Sequence, residues 1–180
     1  MSGPQRGQTP RAGGDRPRQS LSRSITWQML DGSTWYLVVT DDPAADNYGQ
    51  SSFSKDQVHW NRDPDAAAGV SHQASAGYHY VVPSGKIIAL IHSGYAVDNQ
   101  FAGESLTLGG TMALRNPSAT KYVKNWIGQG GEIRAIDTGA YTFRGETFNI
   151  ADGQSLTFNV ARETTSYNLC PPVSGAGAIL

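Results

Sequence analysis

The residues of this 180-residue chain that could do chemistry are four histidines, one cysteine and several loop-borne carboxylates. A zinc site needs three or four ligands that converge, often from closely paired positions. His59, His72, His79 and His92 are spread too widely for such pairs, and His79-Tyr80-Val81 breaks a His-x-His pattern. They read as scattered strand or loop histidines. Cys170 would be a nucleophile only beside a histidine base. It stands just before Pro171-Pro172 and reads as a lone thiol. Asp41, Asp42, Asp46 and Asn47, with Asp63 and Asp65, offer the oxygen ligands that calcium takes from loops. Their spacing matches no EF-hand, and Asp and Asn also close turns through their own side chains. There is no Gly-x-Ser-x-Gly elbow. Ser84-Gly85-Lys86-Ile87 is not a phosphate loop, and no helix is expected after Gly128-Gln129-Gly130-Gly131. The expectation is a protein that is not an enzyme and needs no metal or cofactor.

Two groups of residues could bind rather than react. Tyr78 and Tyr80 are two apart and share a strand face, and Trp60 precedes them. Such rings can stack on a sugar or a base. The competing reading packs them in the core with their hydroxyls at the rim. The second group is Arg6, Arg11, Arg16, Arg18 and Arg23, half of all the arginines. They lie in a Pro- and Gly-rich stretch, residues 1–24, that has no aromatic residue and a single acid, Asp15. Spaced arginines on an extended arm can neutralise a polyanion. Such an arm can equally order along a neighbouring subunit, or serve as a solubilising tail.

The elements that would carry these residues are short strands. Thr34–Thr40 is β-branched and aromatic. Residues 41–77 read mainly as loop, with one short strand near Gln57–Trp60. Strands are then expected over Tyr78–Val82, Lys86–His92, Ser105–Leu108, Thr111–Leu114, Lys121–Ile127, Glu132–Ile136, Tyr141–Phe143, Thr147–Ile150 and Ser155–Val160. Strict alternation would set Tyr122, Lys124 and Trp126 on one side of their strand, with Val123, Asn125 and Ile127 on the other. Asp31-Gly32 and Pro83-Ser84-Gly85 read as turns. No window shows sustained helical periodicity. About ten short strands with one apolar and one wet face predict an all-β, antiparallel sandwich of jelly-roll type. A Greek-key barrel is the runner-up. The division is an N-terminal arm over 1–24 and a β-sandwich domain over 25–180. Gly103-Glu104-Ser105-Leu106-Thr107-Leu108 and Gly153-Gln154-Ser155-Leu156-Thr157-Phe158 echo one another and read as two similar hairpin starts.

Charge narrows the function. Lys plus Arg is 14 and Asp plus Glu is 15, so a uniformly basic nucleic-acid binder is excluded. Charged residues are 16% of the chain, below the roughly 25% of a typical domain. No run approaches the roughly 18 apolar residues of a membrane helix, and no secretory signal is visible.

Tyr80-Val81-Val82-Pro83-Ser84-Gly85-Lys86-Ile87-Ile88 followed by Gly103–Gly110 resembles a module of bacteriophage structural proteins, over roughly 78–114 with an echo at 147–160. A basic arm before a β body also resembles the layout of small jelly-roll viral coat proteins. The resemblance implies a virion location and a role as capsid, decoration or tail protein. Partners would be copies of itself or other virion proteins, with weak nucleic-acid contact through the arm. The alternative is a carbohydrate-binding or membrane-active module, a lectin or pore-forming toxin, secreted without a visible signal.

Overall fold

The computed structural model describes residues 33–41, 58–90, 100–115, 117, 120–160 and 165–180. The arm, Asp31-Gly32, Asp42, Asp46, Asn47 and His92 lie outside them. Among the described residues there are fourteen strands: β1 (Thr34–Leu37), β2 (Trp60–Asn61), β3 (His79–Val82), β4 (Ile87–Leu90), β5 (Gln100–Leu108), β6 (Thr111–Leu114), β7 (Thr120–Gly128), β8 (Glu132–Ala135), β9 (Ala140–Arg144), β10 (Thr147–Ile150), β11 (Ser155–Asn159), β12 (Ser166–Leu169), β13 (Val173–Ser174) and β14 (Ala178–Ile179). Among the described residues no helix is long and apolar enough to cross a membrane.

Most strands lie where alternation places them, although β12, β13 and β14 were not expected, and the partners of the strands are not the expected ones. Among the described residues neighbours pair in parallel, except the β1–β2 pair and an isolated Trp60–Val70 bridge. One sheet runs β12-β9-β7-β5-β3-β1-β2, with β10 and β13 beside β7, and a second runs β14-β11-β8-β6-β4. Chain neighbours such as β3 and β4 lie in different sheets. The chain winds as a β-solenoid of about four turns. The jelly roll, the sandwich and the Greek-key barrel are therefore corrected to a parallel solenoid.

The correction has a physical cause. Pro83-Ser84-Gly85 and Gly109-Gly110 resemble hairpin turns, but they are corners that pass the chain from one sheet to the other. Gly110 shows why. A Cβ there would stand 2.3 Å from the Pro83 carbonyl oxygen of the preceding coil. At Gly131, one coil on, it would stand 2.5 Å from the carbonyl oxygens of Gly110 and Leu108. Corners stack on corners, and only glycine lets the backbones approach that closely.

Each full coil contributes three runs. The first comprises the starts of β5 and β7, then β9 and β12. The second comprises β1, β3, the later halves of β5 and β7, β10 and β13. The third comprises β4, β6, β8, β11 and β14. The register between β5 and β7 shifts between Phe101 and Ser105. That bend explains a second correction: Val123 and Trp126 do not lie on opposite sides of β7, because both point inward and are buried.

The core is built of columns, one residue per coil. Trp35, Tyr80, Leu106, Trp126 and Phe148 align across the second run. Ile88, Met112, Ile133 and Phe158 align across the third. Trp126 stacks on Phe148 with ring centres 5.9 Å apart. Gly103–Leu108 and Gly153–Phe158 fall in different sheets, so their likeness is not that of equivalent coils.

The side of the solenoid nearest β1 is covered. β2 pairs antiparallel with β1 and buries Trp60. Asp41 covers the edge of β4: its N–H donates to the Ile87 carbonyl at 2.8 Å and its carboxylate accepts the Ala89 N–H at 2.8 Å. His59 Nδ1 sits 2.7 Å from the other carboxylate oxygen.

Candidate functional site

The outward positions of the second run form two straight columns. One is Thr34, His79, Ser105, Asn125 and Thr147. The other is Tyr36, Val81, Thr107, Ile127, Asn149 and Ser174. Each arises from local alternation: Ser105 and Thr107 take the outward positions while Leu106 and Leu108 face in, although Ser105 is itself covered, and Thr147 and Asn149 face out while Phe148 and Ile150 face in. Parallel pairing in constant register then places like positions about 4.8 Å apart, coil upon coil.

Hydrogen bonds run along the first column. His79 Nδ1 and Ser105 Oγ share one at 2.8 Å. Thr147 donates to Asn125 Oδ1 at 2.8 Å, and Asn125 Nδ2 donates to the Glu104 carbonyl at 3.0 Å. Asn149 Nδ2 reaches Ser174 Oγ at 3.5 Å in the second. None of the eleven positions carries an ionised carboxylate, ammonium or guanidinium. Charge stands at the border instead. Lys124 Nζ is 2.6 Å from Glu104 Oε1, and that hydrogen bond raises the Lys124 pKa. The third run carries charge on its outward face: Glu132 accepts from Arg134 at 3.0 Å and from Asn159 at 2.7 Å. The Arg134 bond chiefly holds that carboxylate below its ordinary pKa.

A Ser–His pair invites a catalytic reading, which the geometry does not sustain. Ser105 is only 3% exposed, and among the described residues no carboxylate is bonded to the His79 imidazole. An activated serine needs an accessible hydroxyl and an oriented base. His59 and Asp41 brace the first coil to β4. Asp63 closes a turn, its carboxylate accepting the Asp65 N–H at 3.0 Å. Among the described residues no three His, Cys, Asp or Glu side chains gather as metal ligands. Cys170 is exposed and free.

The aromatic residues singled out above come together, but inside. Trp60 and Tyr80 are fully buried and meet edge to face with centres 5.0 Å apart. Tyr80 Oη accepts the Ser75 N–H at 2.9 Å and shares a hydrogen bond with His72 Nε2 at 2.8 Å. Burial pushes the Tyr80 phenol up. Tyr78 is half-buried beside Trp35, whose ring lies between His72, stacked at 3.5 Å, and the Arg62 guanidinium at 5.0 Å. The arginines of the arm, Arg6, Arg11, Arg16, Arg18 and Arg23, lie outside the described residues.

The outward columns were not legible as a site. Their only sequence signal is Ser-x-Thr, Asn-x-Ile and Thr-x-Asn set against buried neighbours, and that signal means little until the coil register is known. Fold and face together define a short parallel β-solenoid with one uncharged, hydrogen-bonded ladder face. No protein-family model, no curated protein and no solved structure matches this chain.

Proposed function

We propose that this chain is a non-enzymatic structural protein of a virion, a capsid, decoration or tail component that docks on copies of itself or on other virion proteins. In this reading the solenoid is the rigid body. Arg6, Arg11, Arg16, Arg18 and Arg23 reach a neighbouring subunit or nucleic acid.

One observation supports the reading most. The two ends of the stack differ. The edges of β1 and β4 are covered by β2 and Asp41, as edge strands of soluble proteins usually are. Among the described residues nothing pairs with the far edges of β12, β13 and β14. Residues 165–180 hold no charged side chain, and Val173, Ile179 and Leu180 are exposed. Unpaired backbone beside apolar side chains is a surface for another chain.

Light scattering of the full chain at low and high salt tests this. The expected result is a species well above 19.3 kDa that persists at high salt, because apolar and backbone contacts are screened little. A Val173→Lys, Ile179→Lys double variant should be smaller. A monomer at every salt and concentration would remove the assembly reading.

A further inference from the structure

We infer that the ladder face of the second run binds a neutral, hydroxyl-rich polymer, a glycan strand lying across the strands along the solenoid axis. This goes beyond the assembly reading and uses a different surface.

The argument begins with charge. Outward positions of a sheet are where a soluble protein can place Lys, Glu, Arg and Asp at little cost, and the third run does so with Glu132 and Arg134. The second run does not, over six successive strands. A polyanion needs cations opposite it, and a basic partner needs carboxylates. This face offers neither. It offers hydroxyls, amides and an imidazole, which match a ligand that is itself neutral and bonded through hydroxyls.

Geometry supplies the second argument. A polymer running across the strands meets equivalent groups about 4.8 Å apart, so one kind of contact can repeat from coil to coil. Val81 and Ile127 lie half-buried in the column beside the hydroxyls, with Tyr36 at one end. Sugars have the same mixture, hydroxyl edges and apolar C–H faces. The Thr147–Asn125 bond holds both side chains in place while leaving bonding capacity unused, and Ser105, itself only 3% exposed, fixes the His79 ring without meeting the ligand. A hydroxyl has one donor and two acceptor positions, and an amide nitrogen has two donors. Side chains already fixed lose little entropy when a ligand binds.

Electrophoresis of the full chain through gels containing dextran, mannan, galactomannan, laminarin or xyloglucan tests this, with polygalacturonate and duplex DNA as anionic comparisons. At least one neutral polysaccharide should retard the protein, and raised salt should leave the retardation in place. Thr107→Arg and Asn149→Arg should each weaken it by about tenfold or more. Thr142→Arg adds the same charge to the outward side of β9 and should leave it unchanged. Asn149 is exposed, so its variant remains informative if Thr107→Arg disturbs folding. Circular dichroism of each variant separates the two cases. The inference is overturned if no neutral polymer retards the chain. It is equally overturned if only the anionic polymers do so, or if both face variants migrate like the parent.

Discussion

Lys121 occupies an inward position of β7, in a column with Phe143 and Leu169. It is fully buried, with its ammonium 5.6 Å from the centre of the Tyr141 ring. Desolvation pulls its pKa down to about 8. The unfolded chain would hold that proton to about 10.5. Below about pH 8 both states are charged and the folded state bears the full cost of the buried ammonium. As pH rises from there toward 10.5, only the folded state loses the proton, so stability rises. The expected gain is about 2 kcal/mol between about pH 7.5 and 9.5. Denaturant titration at those values should show it, and Lys121→Met should abolish the slope. The window must stop below 10. Tyr141 is raised to about 12 by burial first, so its contribution is lost as pH climbs from 10 toward 12. A slope that survives in Lys121→Met would sink this assignment.

At the scale of elements, the corners decide the packing. Gly131 has no room for a Cβ between its own coil and the carbonyls of Gly110 and Leu108. Gly131→Ala must push two stacked corners apart, and a loss of about 2 kcal/mol or more is expected from denaturant melts. Gly153 lies at a corner with open space around it, although its φ of 71° is left-handed. Gly153→Ala should therefore cost less, about 1 kcal/mol, from backbone strain alone. Equal losses at the two positions would mean that the stacked corners are looser than they look. The turn residues themselves were readable, since Pro-Ser-Gly and Gly-Gly punctuate the chain plainly. Whether each turn returns the chain beside the previous strand or sends it into another sheet was not. That depends on what packs above and below, which no local pattern encodes.

The described residues form a stack in which the strands of each coil pair with those of adjacent coils. Stability in such an array is close to a sum of coil and interface contributions. Opening should therefore begin where a coil has a neighbour on one side only. Among the described residues that is the coil of β12, β13 and β14, whose strands are largely half-buried or exposed. Native-state hydrogen exchange should find the amides of β12 and β14 opening with the least free energy, and those of β7 and β8 with the most. Uniform protection would mean that the stack unfolds as one unit. If the chain assembles through that coil, its amides should gain protection as concentration rises, which ties the exchange pattern to light scattering.

The amino-acid sequence by itself determined where most strands lie, which residues face inward in most of them though not in β7, and where the chain must turn. Alternation of Leu106 and Leu108 with Ser105 and Thr107 is a local property that survives any partner. It also placed the break at Pro83-Ser84-Gly85. Only the tertiary structure decided that partners are parallel and one coil away. A half-buried parallel strand has the same alternation as a half-buried antiparallel one, so hydrophobic pattern cannot distinguish them. The ladder face follows from that decision. His79, Ser105, Asn125 and Thr147 are far apart in the chain, and of them only His79 stands out by residue type. They become a surface because the coils differ in length yet return to the same register. What holds that register is the packing of Tyr80, Leu106, Trp126 and Phe148 beneath them.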